Sequence, residues 1–271
     1  MKNLFLLSLD AQHICGLSSV RKFGFTLPEV LITLGIIGVV ACMTIPTLIA
    51  DSQKTIYVNQ LKKAYTQFNQ VLIQISADDG CVGDLKCTGL FDPDTTSYEA
   101  MGDEIAKHFK LTKNCKSNNG GPSITGCFSD KVSDNYNGSG LRRGWDNVGF
   151  YRFITEDGNA YFLGSEGSNC GSEEDGYSNH KTNNMNQMCG QVLIDVNGPG
   201  KGPNNFGRDI FAFYITNGKG PLLYPAGGLD DNANEPPWAN DDGSLRNCYP
   251  DSVDGASCAG RVIEENWQMN Y

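Results

Sequence analysis

Hydrophobic residues are unevenly spread along the chain. A short apolar stretch, Leu4 to Leu9, is followed by polar sequence and the basic pair Arg21-Lys22. From Phe25 to Ala50 the chain is then almost wholly apolar, and Glu29 is its one charge. About 20 apolar residues cross a bilayer core as a helix, so 25–50 predicts a transmembrane helix; Leu4–Leu9 is too short. Pro28 falls in the first turn, where its missing N–H costs little. Pro46 lies deep inside the run and predicts a kink or a melted turn. Helical pattern resumes at once: Tyr57, Leu61, Ala64, Tyr65, Phe68, Val71, Leu72 and Ile75 follow at steps of three and four. That spacing makes one apolar face, with Gln, Asn and Lys opposite. One helix, bent or broken near Pro46, is therefore expected from Phe25 to about Ser76, roughly 75 Å long at 1.5 Å per residue. Its first half should face lipid or neighbouring subunits and its second half, 51–76, should pack under a globular head. The pattern is too short for the heptads of a coiled coil.

The head, within 51–271, reads as loop-rich. "ADDGCVGDLKCTG" from Ala77 is a loop. Ser97 to Lys110, with Met101, Ile105 and Phe109 on one side, predicts a short amphipathic helix. Asn114 to Asp146 has no clear period. In "VGFYRFITEDGNAYFLG", two β-prone runs flank Asp157-Gly158, a hairpin signal. A polar, acidic loop spans Ser165 to Met188. "QVLIDV" and "DIFAFYIT" predict two more strands, joined by "NGPGKGPNNFGR". The tail "CAGRVIEENWQMNY", carrying Val262, Ile263 and Trp267, predicts a short helix or an irregular strand returning to the sheet, with Trp267 in the core. The expected class is α+β: a long helix on a mostly antiparallel sheet of about four strands. No linker marks a second domain, and no internal repeat is present.

Composition narrows the function. The net charge is −10. Such a field repels phosphate backbones, so nucleic acid is not an expected partner of the head. Of ten cysteines, Cys15 precedes the apolar run and Cys42 lies inside it. The other eight are Cys81, Cys87, Cys115, Cys127, Cys170, Cys189, Cys248 and Cys258. An even set in a polar domain beyond a membrane segment reads as disulfides in an oxidising compartment. No C-x2-C is present, and His108 and His180 are not spaced as zinc partners. About a hundred pairings are possible; the sequential set 81–87, 115–127, 170–189 and 248–258, which closes four short loops, is the expectation.

Catalytic signatures are missing: there is no G-x-S-x-G, P-loop or H-E-x-x-H, and His108 has no Cys or Ser partner at a readable spacing. Glu173-Glu174-Asp175 and Asp230-Asp231 read as solvated surface. The chain is therefore not expected to be an enzyme or to need a cofactor. "DVNGPGKGPNNFGRD" opens like a calcium loop, with Asp195 and Asn197. Its fifth position is Pro199 and its twelfth Phe206, so it is not an EF-hand. The plainer reading is a turn-rich connection with Asx turns and glycines at positive φ, in which Asp209 pairs with Arg208 or caps backbone amides. Asp195, Asn197 and Asp209 remain weak calcium candidates.

Glu29 asks for a reason. An unpaired carboxylate in a bilayer costs a few kcal/mol and usually marks function, although near the end of the run it can snorkel. A cleaved signal peptide is cut after its apolar region; here the small residue, Gly24, comes before it. Cutting at Gly24-Phe25 would create an amine that could pair with Glu29 on another copy.

At these residues "GFTLPEVLITLGIIGVVA" resembles the type IV prepilin signature: glycine before the cut, an aromatic first mature residue, and glutamate fifth. The resemblance implies a pilin-like fold and a sequence of events. A prepilin peptidase removes the leader, 1–24, on the cytoplasmic side. The Phe25 amine is methylated. The apolar helix then leaves the bilayer and packs, through Glu29, into a filament with other pilin or pseudopilin subunits on an inner-membrane assembly platform. Physical reasons fit these positions: Gly24 enters a tight protease site without a side chain, and Arg21 and Lys22 hold the leader in the cytoplasm. The implied location is a bacterial inner membrane, single-pass, with a periplasmic head that becomes filament-associated. Asp195 to Phe211 also resembles a segment of the heads of pseudopilin-like proteins annotated with type II secretion, and a Cys248–Cys258 bridge resembles the disulfide-bounded loop of many pilins. The expected function is thus a type II secretion pseudopilin. Alternatives are a minor pilin of a surface pilus serving adhesion, motility or DNA uptake, and a membrane-anchored binding protein that never polymerises. A simple anchor has no use for Glu29.

Overall fold

The structure, a computed structural model, describes residues 26–117, 126–133, 138, 141–143, 150–165, 169–171, 187–217, 222–226, 248, 255 and 258–271. The chain divides into two compact units, Met1–Ile49 and Ala50–Tyr271.

The first unit contains the start of α1 (Leu27–Asp78). From Thr26 to Ile49 every residue is exposed except half-buried Ala41. Leu27, Leu31, Ile37, Met43 and Leu48 each leave more than half their surface open. A helix apolar on all sides belongs in a membrane or among other helices. Among the described residues this is the one helix long and apolar enough to cross a bilayer. Its few hydroxyls turn inward: Thr33 Oγ1 donates to the Glu29 carbonyl at 2.9 Å and Thr44 Oγ1 to the Val40 carbonyl at 3.0 Å. Such back-bonding leaves no bare hydroxyl against hydrocarbon. The melted turn expected at Pro46 is not present, since helix is continuous through it. A proline removes one rung of the ladder, here the bond to the Cys42 carbonyl, and the rungs on either side hold the helix.

In the second unit α1 continues to Asp78 and buries Val58, Leu61, Ala64, Phe68, Val71, Leu72 and Ile75. Apart from Val58, which the sequence reading did not include, this is the stripe read from the sequence, with Tyr57 and Tyr65 half-buried at its margins. The next helix, α2 (Tyr98–Lys107), begins where the Ser97 hydroxyl accepts the Ala100 N–H at 3.2 Å, an N-cap. It ends at Lys107 rather than Lys110. Gly102 lets it lie flat on the sheet: a Cβ there would fall 2.0 Å from the Tyr151 ring.

Six strands, not four, form the main sheet, in the order β1-β4-β5-β6-β7-β8 and antiparallel throughout. The four expected strands are its centre: β4 (Tyr151–Thr155), β5 (Ala160–Ser165), β6 (Met188–Asp195) and β7 (Ile210–Thr216). The additions are its edges, β1 (Leu111–Ser117) and β8 (Leu223–Pro225). Edge strand β1, "LTKNCKS", has no buried residue and two register shifts against β4, so no alternation marks it in the sequence. Strand β8 is three residues long and ends in proline, which an edge tolerates. A two-stranded ribbon, β2 (Lys131–Ser133) with β3 (Leu141–Arg143), also lies in the segment read as loop. The tail forms α3 (Cys258–Glu264) and then irregular chain to Tyr271.

Both faces of the sheet are covered. Along β7, Phe211, Phe213 and Ile215 join the core under α1, while Ile210, Ala212 and Tyr214 join a second core with Phe128, Val132, Phe162 and Tyr224. Phe68 is fully buried, with ring centroids 5.8 Å from Tyr161 and 5.9 Å from Phe109. Truncating a buried Phe removes about 3–5 kcal/mol. Phe68→Ala should therefore cost about that much in chemical denaturation of the full chain in detergent, whereas Ile73→Ala, on the exposed face, should cost under about 1 kcal/mol.

Candidate functional site

Two places carry chemistry that packing alone does not explain. One is the start of α1. Gly24 and Phe25 lie outside the described residues. Thr26 and Glu29 are described, and they engage each other. The Thr26 backbone N–H and hydroxyl both donate to Glu29 Oε2 at 2.8 Å, and the Glu29 N–H reaches Thr26 Oγ1 at 3.4 Å. This is a capping box. It was legible as T-x-x-E before an apolar run but was not anticipated from the sequence. The acid thus sits against the amino end of α1, where the helix dipole favours a negative charge.

The other place is the connection from β6 to β7. Asp195 ends β6 opposite Ile210, so the ladder sets it beside Asp209, the residue before its cross-strand partner. Both acids are fully buried. Asp195 Oδ1 accepts the N–H groups of Asn197 at 3.2 Å and Gly198 at 2.8 Å. Asp209 accepts those of Asn204 and Asn205 at 2.8 and 2.7 Å. Of the two roles expected for Asp209, capping amides is the one present. Burial, reinforced by the charge of Asp209, pushes the Asp195 carboxyl up to about 8 against the pull of its two N–H donors. Burial likewise raises Asp209, opposed by the amides of Asn205 and Asn204 and by the Asn197 side chain.

The connection is tightly held. Gly198 has φ +85°, and a Cβ there would meet the Gly158 carbonyl at 2.6 Å. Ser133 on β2 exchanges backbone bonds with Asn204 and Phe206 at 3.0 and 2.9 Å. The Tyr271 hydroxyl donates to the Gly207 carbonyl at 2.8 Å, and Asn197 Nδ2 donates to the Tyr57 hydroxyl at 3.3 Å. The loop therefore joins α1, β2, the sheet and the tail. Asn204 was not singled out from the sequence, and Tyr57 was read there only as part of the α1 stripe, because only the folded loop brings Asn204 to Asp209 and Asn197 to Tyr57.

The eight head cysteines pair Cys81–Cys87, Cys115–Cys127, Cys170–Cys189 and Cys248–Cys258, the sequential set. Each closes a short loop, worth about 2–3 kcal/mol in the chain-entropy account. Cys42 is a free thiol on the exposed part of α1. His108 is half-buried, with Nε2 3.9 Å from Glu104 Oε1. His180, Glu173, Glu174, Asp175, Asp230 and Asp231 lie outside the described residues. Among the described residues no three His, Cys, Asp or Glu side chains gather.

No family model, curated protein or solved structure matches the chain. Function is therefore argued from its own residues.

Peptide mapping of unreduced protein should recover the four sequential bridges and alkylatable Cys42. Free thiols at Cys115 and Cys127, or a crossed pairing, would contradict the fold of the head.

Proposed function

We propose that the chain is a prepilin-like structural subunit, cleaved at Gly24-Phe25 by a prepilin peptidase, methylated at Phe25 and assembled through α1 on an inner-membrane platform. Within that class the type II secretion pseudopilin is the preferred reading. One observation carries the proposal: α1 exposes apolar surface all round from Leu27 to Ile49 yet keeps Glu29 at its entrance. As a single-pass anchor it would need only the apolar surface. In a filament, the same surface packs against like helices, and Glu29 meets the Phe25 amine of a neighbouring subunit. An unpaired charge in such a low-dielectric core costs several kcal/mol, which makes the pair a condition of assembly.

The capping box supports a second reading. Glu29 also serves a plain anchor, by closing the first turn of α1. The two roles separate by charge. Gln keeps the capping geometry but cannot neutralise an amine.

Intact-mass analysis of cells with an active peptidase should find chains beginning at N-methyl-Phe25, and Gly24→Val should leave them uncut. Glu29→Ala and Glu29→Gln should both be inserted and cleaved, yet both should fall about tenfold or more in the filament fraction. Normal incorporation of Glu29→Gln would leave the acid as a helix cap and the chain as an anchor. An uncut chain beginning at Met1, or a cut after Ala41 or Ala50, would remove the prepilin reading altogether.

A further inference from the structure

We propose that the head carries a phospholipid headgroup site where α1 leaves its apolar run, and that its ligand is the phosphoethanolamine zwitterion. The proposal rests on α1 crossing a bilayer, not on its assembly into a filament. A cavity of about 590 Å³ lies between the second half of α1 and the C-terminal tail. Asp51, Lys54 and Asn59 line it from the helix, and Trp267 and Asn270 from the tail. Its volume is that of a small-molecule site.

Position points to a lipid. The apolar run ends at Ala50, and at 1.5 Å per residue Lys54 lies about 6 Å further along α1. The polar layer on each side of a bilayer core is about 5–8 Å deep, so Lys54 falls at headgroup depth. Tryptophan favours the same layer, with an apolar ring and one N–H donor. The tail is shaped to present it. Helix α3 closes on left-handed Asn266, φ +56°, whose N–H meets the Ile263 carbonyl at 3.1 Å while the Trp267 N–H meets the Val262 carbonyl at 2.8 Å. That is an ordinary helix ending. Trp267 then takes φ +61° itself, which the cap does not require and a bulky residue rarely adopts. Strained backbone of this kind gathers at ligand sites. The ring lies 5.4 Å from that of Tyr65, with Lys62 Nζ 5.6 Å from its centre. It is still only half-buried, and it walls the cavity.

The charges of the cavity match a zwitterion. Of the described residues that line it, two are charged, Asp51 and Lys54. They stand three apart on α1, a spacing that allows an ion pair, yet Lys54 donates to the Tyr271 carbonyl instead. An ammonium has three donors, so two remain for a phosphate. The Asp51 carboxylate has no hydrogen bond or ion pair among the described residues. A primary ammonium offers it N–H donors. A quaternary one has none and is held by cages of aromatic faces, where this cavity has one ring. A purely anionic headgroup would set negative charge against Asp51.

The test follows the Trp267 indole N–H peak in nitrogen-labelled full chain, assigned by its loss in Trp267→Phe. In maltoside micelles, water-soluble glycerophosphoethanolamine should shift the peak saturably. Inorganic phosphate and glycerophosphocholine should each bind about tenfold or more weakly, having lost a charged hydrogen-bond partner. Asp51→Asn, at an exposed position, should weaken binding by about the same factor without moving the ligand-free peak. In nanodiscs, phosphatidylethanolamine should shift this peak where phosphatidylglycerol does not. The proposal is overturned if glycerophosphoethanolamine gives no saturable shift, if phosphate or glycerophosphocholine binds equally well, or if Asp51→Asn binds like wild type. Binding of the soluble headgroup without a response to nanodisc lipid would make the ligand a soluble phosphoester and overturn the lipid source. A chain that does not enter nanodiscs at all overturns the membrane helix on which the proposal rests, and this is seen before any titration.

Discussion

The head depends on one contact: the apolar stripe of α1 from Val58 to Ile75 laid across the central strands of an antiparallel sheet. A lone helix of this length gains little from its own hydrogen bonds, and a lone sheet with two apolar faces is insoluble. Each supplies the surface the other needs. Phe68, stacked on Tyr161 and close to Phe109, lies at the middle of that contact. Asn69 adds a polar tie by accepting the Leu223 N–H at 3.0 Å, which brings the edge strand β8 to the helix.

The same helix then changes surroundings without changing its secondary structure. From Thr26 to Ile49 its residues are exposed except half-buried Ala41; from Val58 on they are divided between core and water. Backbone hydrogen bonding is indifferent to this change, because a helix satisfies its own N–H and C=O groups in lipid as in water. Side chains alone tell the two regions apart. Glu29 is the exception that gives the apolar region a polarity, and its bonds to Thr26 close the first turn of the helix.

Beyond the sheet, stability is distributed through short-range closures. Four bridges each tie residues close in sequence, and the Asp195–Asp209 connection gathers the helix, the β2 ribbon and the C-terminal tail by hydrogen bonds. The tail adds its own lock, with the Arg261 guanidinium 5.0 Å over the Tyr271 ring and Lys54 donating to the Tyr271 carbonyl. Two buried acids at the crossing of these elements are costly unless something neutralises them.

The sequence by itself determined what periodicity and composition can carry: the membrane-length run, the helical stripe from Leu61 to Ile75, the central strands β4 to β7 and the sequential cysteine spacing. These signals are strong because each residue type repeats at the period of its element. Tertiary structure decided the rest. Strands β1, β2, β3 and β8 are edge or ribbon segments whose pairing comes from neighbours rather than from their own pattern, so polar runs such as "LTKNCKS" looked like loop. Continuity through Pro46 was decided by the surrounding rungs of the helix, which outweigh one missing donor. Above all, Asp195 and Asp209 are fourteen residues apart in the chain and became neighbours only when β6 paired with β7. Burial then turned two ordinary loop acids into a pair, and no local reading of either residue contains that fact.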